Sequence, residues 1–90
     1  MKKVIGGKIY DTNTATLIDS DWCRIGIEFN QEELYRKRTG EYFLRGEGGA
    51  STRWRKGSGI FPLTDAKALE WAEEYMDADD IIELFEITEE

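Results

Sequence analysis

The residues best suited to chemistry are carboxylates, and they concentrate at the C-terminal end of the chain. Between Thr64 and Glu90 there are eleven Asp and Glu side chains against one basic residue, Lys67. The remainder of the chain carries eleven basic and eight acidic side chains. The excess negative charge therefore belongs to the last third of the sequence.

The spacing of these carboxylates is close to the spacing of charges on DNA. Eleven acids in the stretch from Asp65 to Glu90, at a helical rise of about 1.5 Å per residue, give one charge per about 3.5 Å. One DNA strand carries a phosphate about every 3.4 Å. Such a surface can occupy a basic groove meant for nucleic acid, and the simpler alternative is the solvated face of two amphipathic helices.

Catalytic chemistry has little support in the composition. The chain contains no histidine, which excludes Ser-His-Asp, Cys-His and zinc-histidine arrangements. The single cysteine, Cys23, is expected on the apolar side of a strand, where a thiol behaves as a small hydrophobe. A hydrolase with paired carboxylates stays open, although no spacing points to one.

Two further patterns resemble ligand sites only superficially. The glycines of Gly46–Gly49 lack the Gly-Lys-Ser/Thr that ends a phosphate-binding loop, and we expect them to supply positive backbone φ. The carboxylates of Asp77–Asp80 lack the glycine and the distal glutamate of a calcium loop. We therefore predict no enzyme activity, no metal and no cofactor.

A basic segment contrasts with the acidic end. Trp54 lies between Arg53 and Arg55, and arginine beside an aromatic ring is typical of single-stranded nucleic-acid binders. The formal charge of -7 favours the alternative, in which these residues balance nearby acids or stay in solvent. We expect no direct nucleic-acid binding.

Length and composition predict one domain over residues 1–90. A pI near 4.6 argues against nucleic acid or an anionic membrane as a partner, and favours a basic partner or simple solubility. One cysteine permits no internal disulfide, which fits a reducing cytoplasm. The sequence shows no signal-peptide pattern and no apolar run of membrane-spanning length.

The apolar periodicity predicts strands in the first two thirds of the chain. The first predicted strand is Lys3–Tyr10, with a tight turn or bulge at Gly6-Gly7, and a helical turn or plain loop follows over Thr12–Leu17. A strand over Trp22–Phe29 and a hairpin of Leu34–Arg38 with Glu41–Arg45 come next. The strand breaks at Gly46–Gly49, and an exposed basic loop over Ala50–Gly59 leads to an extended segment at Ile60–Leu63.

Two helices complete the prediction. Thr64 is a good N-cap for a helix that runs to about Met76, and Asp77 caps a second helix over Ala78–Phe85, with Ile81, Ile82 and Phe85 pointing inward. The predicted fold is α+β, an antiparallel sheet of three to five strands covered on one face by the two C-terminal helices.

Several short motifs, taken in order, resemble a family of short proteins encoded on bacterial plasmids, prophages and other mobile elements. The family pattern has an opening Gly-Lys-x-Tyr-Asp-Thr, a hairpin end of the type Phe-Leu/Phe-x-x-Glu-Gly-Gly and a Pro-Leu step into a final helix. The matching residues here are Gly7–Thr12, Thr14-Ala15, Leu34–Arg36, Gly40–Gly49, Ser51, Ile60–Thr64 and Ala68–Glu73.

Some proteins of this type are anti-CRISPR inhibitors, so the resemblance implies a non-enzymatic inhibitor of a host CRISPR effector in the cytoplasm. The chain departs from the pattern in a short, basic segment between Ser51 and Ile60 and in an acidic tail past Asp77. We predict that an acidic helical face replaces phosphates in the effector's nucleic-acid channel, with an exposed aromatic at its rim. The predicted partner-binding residues are Glu70, Glu73, Glu74, Asp77, Asp80, Glu83 and Trp71. The alternative is a protein-interaction or regulatory module of a mobile element that binds through its sheet.

Overall fold

The computed structural model describes residues 1–25, 28–49 and 52–88. Strands β3 to β6 form an antiparallel sheet in chain order, and β1 pairs with β2 in a separate two-stranded hairpin. Helices α1 and α2 follow, so the predicted α+β class is confirmed. The elements are β1 Lys2–Ile5, β2 Lys8–Asp11, β3 Thr16–Ile25, β4 Glu28–Arg36, β5 Tyr42–Gly48, β6 Gly59–Leu63, α1 Asp65–Tyr75 and α2 Ala78–Phe85.

The helices cover one face of the four-stranded sheet. Side chains alternate between the two faces along a strand, and the helix-facing set of β4 and β5 forms the main core with the buried side of α1. The centre of this core is fully buried, and the helix α2 contributes Leu84 and Phe85 at its border. The buried members are Leu34, Tyr42, Leu44, Trp54, Ala68 and Trp71.

The N-terminal hairpin packs on the opposite face, which the sequence did not predict. Tyr35 and Phe43 alternate with the helix-facing residues of β4 and β5 and meet Tyr10 of β2 in a second core. The Tyr35 and Phe43 rings stack with centroids 5.2 Å apart, and Tyr10 meets Phe43 edge-on at 5.5 Å. Both faces of the sheet are therefore partly covered.

The glycine turns of the sequence are confirmed at two positions. Gly6 and Gly7 both adopt positive φ, 59° and 78°, as a two-residue hairpin turn between β1 and β2 requires. Gly40 has φ 94° in the turn between β4 and β5. The helical turn predicted over Thr12–Leu17 is confirmed only in part. Asp11 caps a single turn over 12–15, in which the Ala15 amide donates to the Asp11 carbonyl at 3.0 Å and the Asn13 amide to Asp11 Oδ1 at 2.9 Å, and β3 already begins at Thr16.

The single strand predicted over Trp22–Phe29 is wrong. Strand β3 ends at Ile25, and β4 begins at Glu28 and runs back along it. The apolar alternation continues through this region and therefore does not signal the reversal; Ile27 lies outside the described residues. Cys23 is exposed rather than on a buried face, since β3 is an edge strand at this end of the sheet.

Both helices begin where the sequence predicts. The Lys67 amide donates to Thr64 Oγ1 at 3.2 Å, which caps α1. Asp77 is the N-cap of α2 but makes no side-chain cap bond. Phe85 stacks on Tyr42 at 5.5 Å, as expected of an inward residue, whereas Ile82 is exposed, which contradicts its predicted inward position.

Candidate functional site

The two helices present the predicted carboxylates to solvent. Ala68, Trp71 and Ala72 form the buried side of α1, so the residues between and after them point outward. Helix α2 continues the acidic surface past Asp77. The six predicted carboxylates, all of them exposed, are Glu70, Glu73, Glu74, Asp77, Asp80 and Glu83.

Four of these carboxylates line two grooves. Glu70 and Glu74 line a groove between α1 and the sheet. Asp80 and Glu83 line a second groove beside Arg36. The remaining two, Glu73 and Asp77, are exposed near the junction of the helices. The predicted carboxylates therefore lie on the exposed surface of the two-helix segment.

Trp71 is not the exposed aromatic that the sequence suggested. Only 6% of its side chain is exposed, because position 71 lies on the same face of α1 as Ala68 and Ala72. Its ring packs against Tyr75 with centroids 4.9 Å apart. The exposed aromatics near the acidic helix include Phe61 of β6, 49% exposed, and Tyr75 of α1, 38% exposed.

The indole of Trp71 leads to a residue that sequence reasoning missed. Glu32 of β4 is only 4% exposed, and its Oε1 accepts a hydrogen bond from Trp71 Nε1 at 3.0 Å. Its Oε2 accepts one from Trp54 Nε1 at 2.8 Å. The Nε of Arg53 lies 3.6 Å from the same oxygen. One buried carboxylate thus joins the sheet, the basic loop and α1, as buried charges require partners.

The alternation of side chains along β4 could have indicated that Glu32 is buried. Glu32 precedes Leu34 by two residues, so both side chains lie on the same face of the strand. Leu34 is buried under α1. An acid at an inward position of a strand needs hydrogen-bond donors, and the two tryptophans that follow in the sequence supply them.

Trp54 is buried as well, which contradicts the exposed position that a nucleic-acid stacking role would need. Its side chain is 5% exposed and lies directly over Gly46, where any Cβ would overlap the indole. Gly48 likewise leaves room for Thr52. The predicted strand break is wrong, because β5 continues to Gly48, and Gly46 and Gly48 provide close approach rather than positive φ.

The groove beside Glu32 has a volume of about 430 Å³ and is lined by both charged and aromatic side chains. Asp21 lies nearby, directly opposite Glu32 in the register of β3 and β4. Burial, followed by the charges of Glu32 and Glu74, raises the pKa of Asp21. Burial and the same two glutamates raise the pKa of Tyr75. Three glutamates and two basic side chains line the groove, so its lining carries a net negative charge.

No family profile, curated protein or solved structure matches the chain.

Two findings limit the kinds of site that the described residues form. In the ranges 1–25, 28–49 and 52–88, no group of three or more acidic or cysteine side chains is placed to hold a metal ion. Neither helix in those ranges has the length and apolar character that a membrane crossing requires. The groove at Glu32 is instead a mixed charged and aromatic surface.

Proposed function

We propose that the chain is a non-enzymatic inhibitor of the anti-CRISPR type, which binds a CRISPR effector in the cytoplasm of a host cell. The acidic surface of α1 and α2 enters a basic nucleic-acid channel of the effector and hinders recognition of target DNA. Such channels hold the nucleic-acid backbone through Lys and Arg side chains, so closely spaced carboxylates meet complementary charge there.

The observation that carries this proposal is the exposure of all six predicted carboxylates on consecutive helices. Among the described residues, one of the six forms an ion pair within the chain: Glu70 with Lys67 at 3.2 Å. Neither helix has a basic residue in its last turn. The negative charge is therefore available to a partner rather than compensated internally.

The burial of Trp71 changes the proposed contact surface. Its indole N–H donates a hydrogen bond to Glu32 at 3.0 Å, so Trp71 holds α1 against the sheet and does not face a partner. The proposed partner-binding residues are the six carboxylates. Four of them line two grooves, Glu70 and Glu74 in one and Asp80 and Glu83 in the other, so basic side chains of the effector can contact them at two separate places.

The test is target-DNA binding by purified CRISPR effector complexes of several types, with and without the protein, at low and moderate salt. We expect reduced DNA binding that recovers as salt rises, because exposed charges are screened. The informative variant is Glu73→Lys with Glu83→Lys. Both positions are in the last turn of a helix, where a cation is favoured by the helix dipole, so the variant should fold and lose inhibition.

A matched control reverses two carboxylates on the sheet. Asp19→Lys with Glu47→Lys changes the net charge by the same amount, in β3 and β5, and should keep most of the inhibition. Equal loss of inhibition in both variants would mean that inhibition depends on net charge and not on the carboxylates of the helices. Inhibition by the folded helix variant would contradict the acidic-surface mechanism.

The salt dependence also separates the alternative function. A protein-interaction module that binds through apolar sheet residues should keep its affinity as salt rises, since apolar contacts are not screened. No effect on any effector at either salt concentration would favour that alternative.

A further inference from the structure

The groove beside Glu32 combines two features that recognise a guanidinium group. Its aromatic members include Phe61, half exposed, and Tyr75, also exposed at its edge. Its acidic members include Glu32 and Glu74. Aromatic faces attract cations through the ring quadrupole, and carboxylates accept the paired N–H groups of an arginine.

The chain's own Arg53 illustrates this chemistry. Its Cζ lies 5.2 Å from the centroid of the Phe61 ring, while its Nε lies 3.6 Å from Glu32 Oε2. The latter distance is longer than a good charge-assisted hydrogen bond of about 2.7–2.9 Å. Half of the Arg53 side chain is exposed. A guanidinium is thus accepted beside Phe61, but Arg53 does not fully engage the carboxylate.

The groove retains negative charge after its internal cations are considered. Glu32, Glu70 and Glu74 line it together with Arg53 and Lys67, and Lys67 is paired with Glu70. Asp21 pairs with Glu32 in the register of β3 and β4 but is not part of the groove lining. Three carboxylates against two cations leave one negative charge for a further positive group.

We propose that the groove binds an arginine side chain of the protein partner, whose guanidinium takes the place of the half-exposed Arg53 between the Phe61 ring and the carboxylates of Glu32 and Glu74. The proposal rests on the proposed function and adds an anchor to it, because a basic nucleic-acid channel presents arginines. Arginine is favoured over lysine, since its planar group stacks on a ring while donating to carboxylates, whereas an ammonium is a compact, strongly hydrated charge.

The test is an NMR titration of the intact chain with the peptide acetyl-Gly-Arg-Gly-amide, followed through the indole N–H signals. Trp71 and Trp54 donate to Glu32, so their signals report on the groove. Trp22, 60% exposed on β3, is an internal control. We expect saturable shifts at Trp71 and Trp54 but not at Trp22. The lysine peptide should bind more weakly, and the isosteric, uncharged citrulline peptide should cause no shift.

Two variants identify the groove as the binding site. Phe61→Ala removes the ring without changing charge, and should weaken the arginine peptide about fivefold. Phe29→Ala, which also removes an exposed ring without changing charge and lies outside the groove lining, should leave its affinity unchanged. The proposal would be overturned if the citrulline peptide caused equal shifts or if no saturable shifts were seen. It would also be overturned if a folded Phe61→Ala variant bound the arginine peptide with unaltered affinity.

The peptide experiment needs no effector, so it separates this inference from the proposed function. Arginine binding by a chain that inhibits no effector would support the groove and contradict the proposed function. Inhibition that is sensitive to salt but indifferent to Phe61→Ala would support the acidic surface and overturn the arginine anchor.

Discussion

At the scale of single residues, the arrangement around Glu32 explains why two tryptophans are buried. A carboxylate that is 4% exposed is costly to bury unless donors replace water. The indoles of Trp54 and Trp71 supply one hydrogen bond to each oxygen, at 2.8 and 3.0 Å. The network joins β4, the loop before β6 and α1, and hence three separate parts of the chain.

The first prediction concerns this network. Trp54→Phe keeps most of the buried ring but removes one donor from Glu32, and should lower the free energy of unfolding by about 1–3 kcal/mol. Trp22→Phe is the matched control, because Trp22 is exposed, and should change it by less than about 0.5 kcal/mol. Urea denaturation followed by circular dichroism measures both. An unchanged midpoint for Trp54→Phe would contradict the role of the indole donor.

The same residues show what the sequence could and could not predict. The helix start at Thr64 and the glycine turns depend on local chemistry, so both were predicted correctly. The burial of Trp54 depends on Gly46, which leaves the space that the indole fills, and on the carboxylate of Glu32, which is 22 residues away in the chain. A pattern of basic and aromatic residues alone suggests an exposed loop, because the contact that buries Trp54 is not local.

At the scale of elements, strands β3 and β4 place two acids opposite each other. Asp21 pairs with Glu32 in their register, and like charges directly across a sheet are destabilising. Burial is the first cause of the raised pKa of Asp21, and the charge of Glu32 across the strands is the next, followed by that of Glu74. The strands thus hold negative charge together at the groove, which suits a cationic ligand but opposes stability.

We therefore predict that Asp21→Asn stabilises the protein at neutral pH, by up to about 1 kcal/mol. Because the folded-state pKa is raised above its ordinary value of 3.8, the charged form is disfavoured in the fold. Wild-type stability then falls as the pH rises from that value through the raised pKa. The advantage of the variant should be present at pH 7 and vanish near pH 3. Thermal unfolding at both pH values measures it, and equal or lower stability at pH 7 would contradict it.

The strand prediction failed between β3 and β4, because the alternation of apolar residues continues there although the chain reverses direction. Residues on both sides of the junction between β3 and β4 continue the same alternation, so one strand was predicted over Trp22–Phe29. The pairing of Ile25 with Glu28 places the two halves on neighbouring strands. The helices were predicted well, because a capping residue and three- to four-residue spacing mark them locally.

At the scale of the whole molecule, Glu41 connects the N-terminal hairpin to the sheet. Lys8 Nζ of β2 donates to Glu41 Oε2 at 2.7 Å, and Lys37 and Thr39 donate to Oε1 at 3.3 and 3.1 Å. These bonds, led by that of Lys8, lower the pKa of Glu41 from 4.5 to about 2. The hairpin covers the second core, so this contact helps to hold the two layers together.

Glu41→Gln should consequently lower the melting temperature at neutral pH and increase hydrogen exchange in β1 and β2. Because the folded-state pKa is below the ordinary value, the stabilisation from the charged group is fully present above pH 4.5 and is lost as the pH falls toward 2. The gap between wild type and variant should therefore close over that interval. Glu83→Gln, on α2 and away from the hairpin contact, provides the control and should leave exchange in β1 and β2 unaltered. A constant gap down to pH 2, or equal exchange in the hairpin of wild type and Glu41→Gln, would mean that Glu41 does not couple the layers.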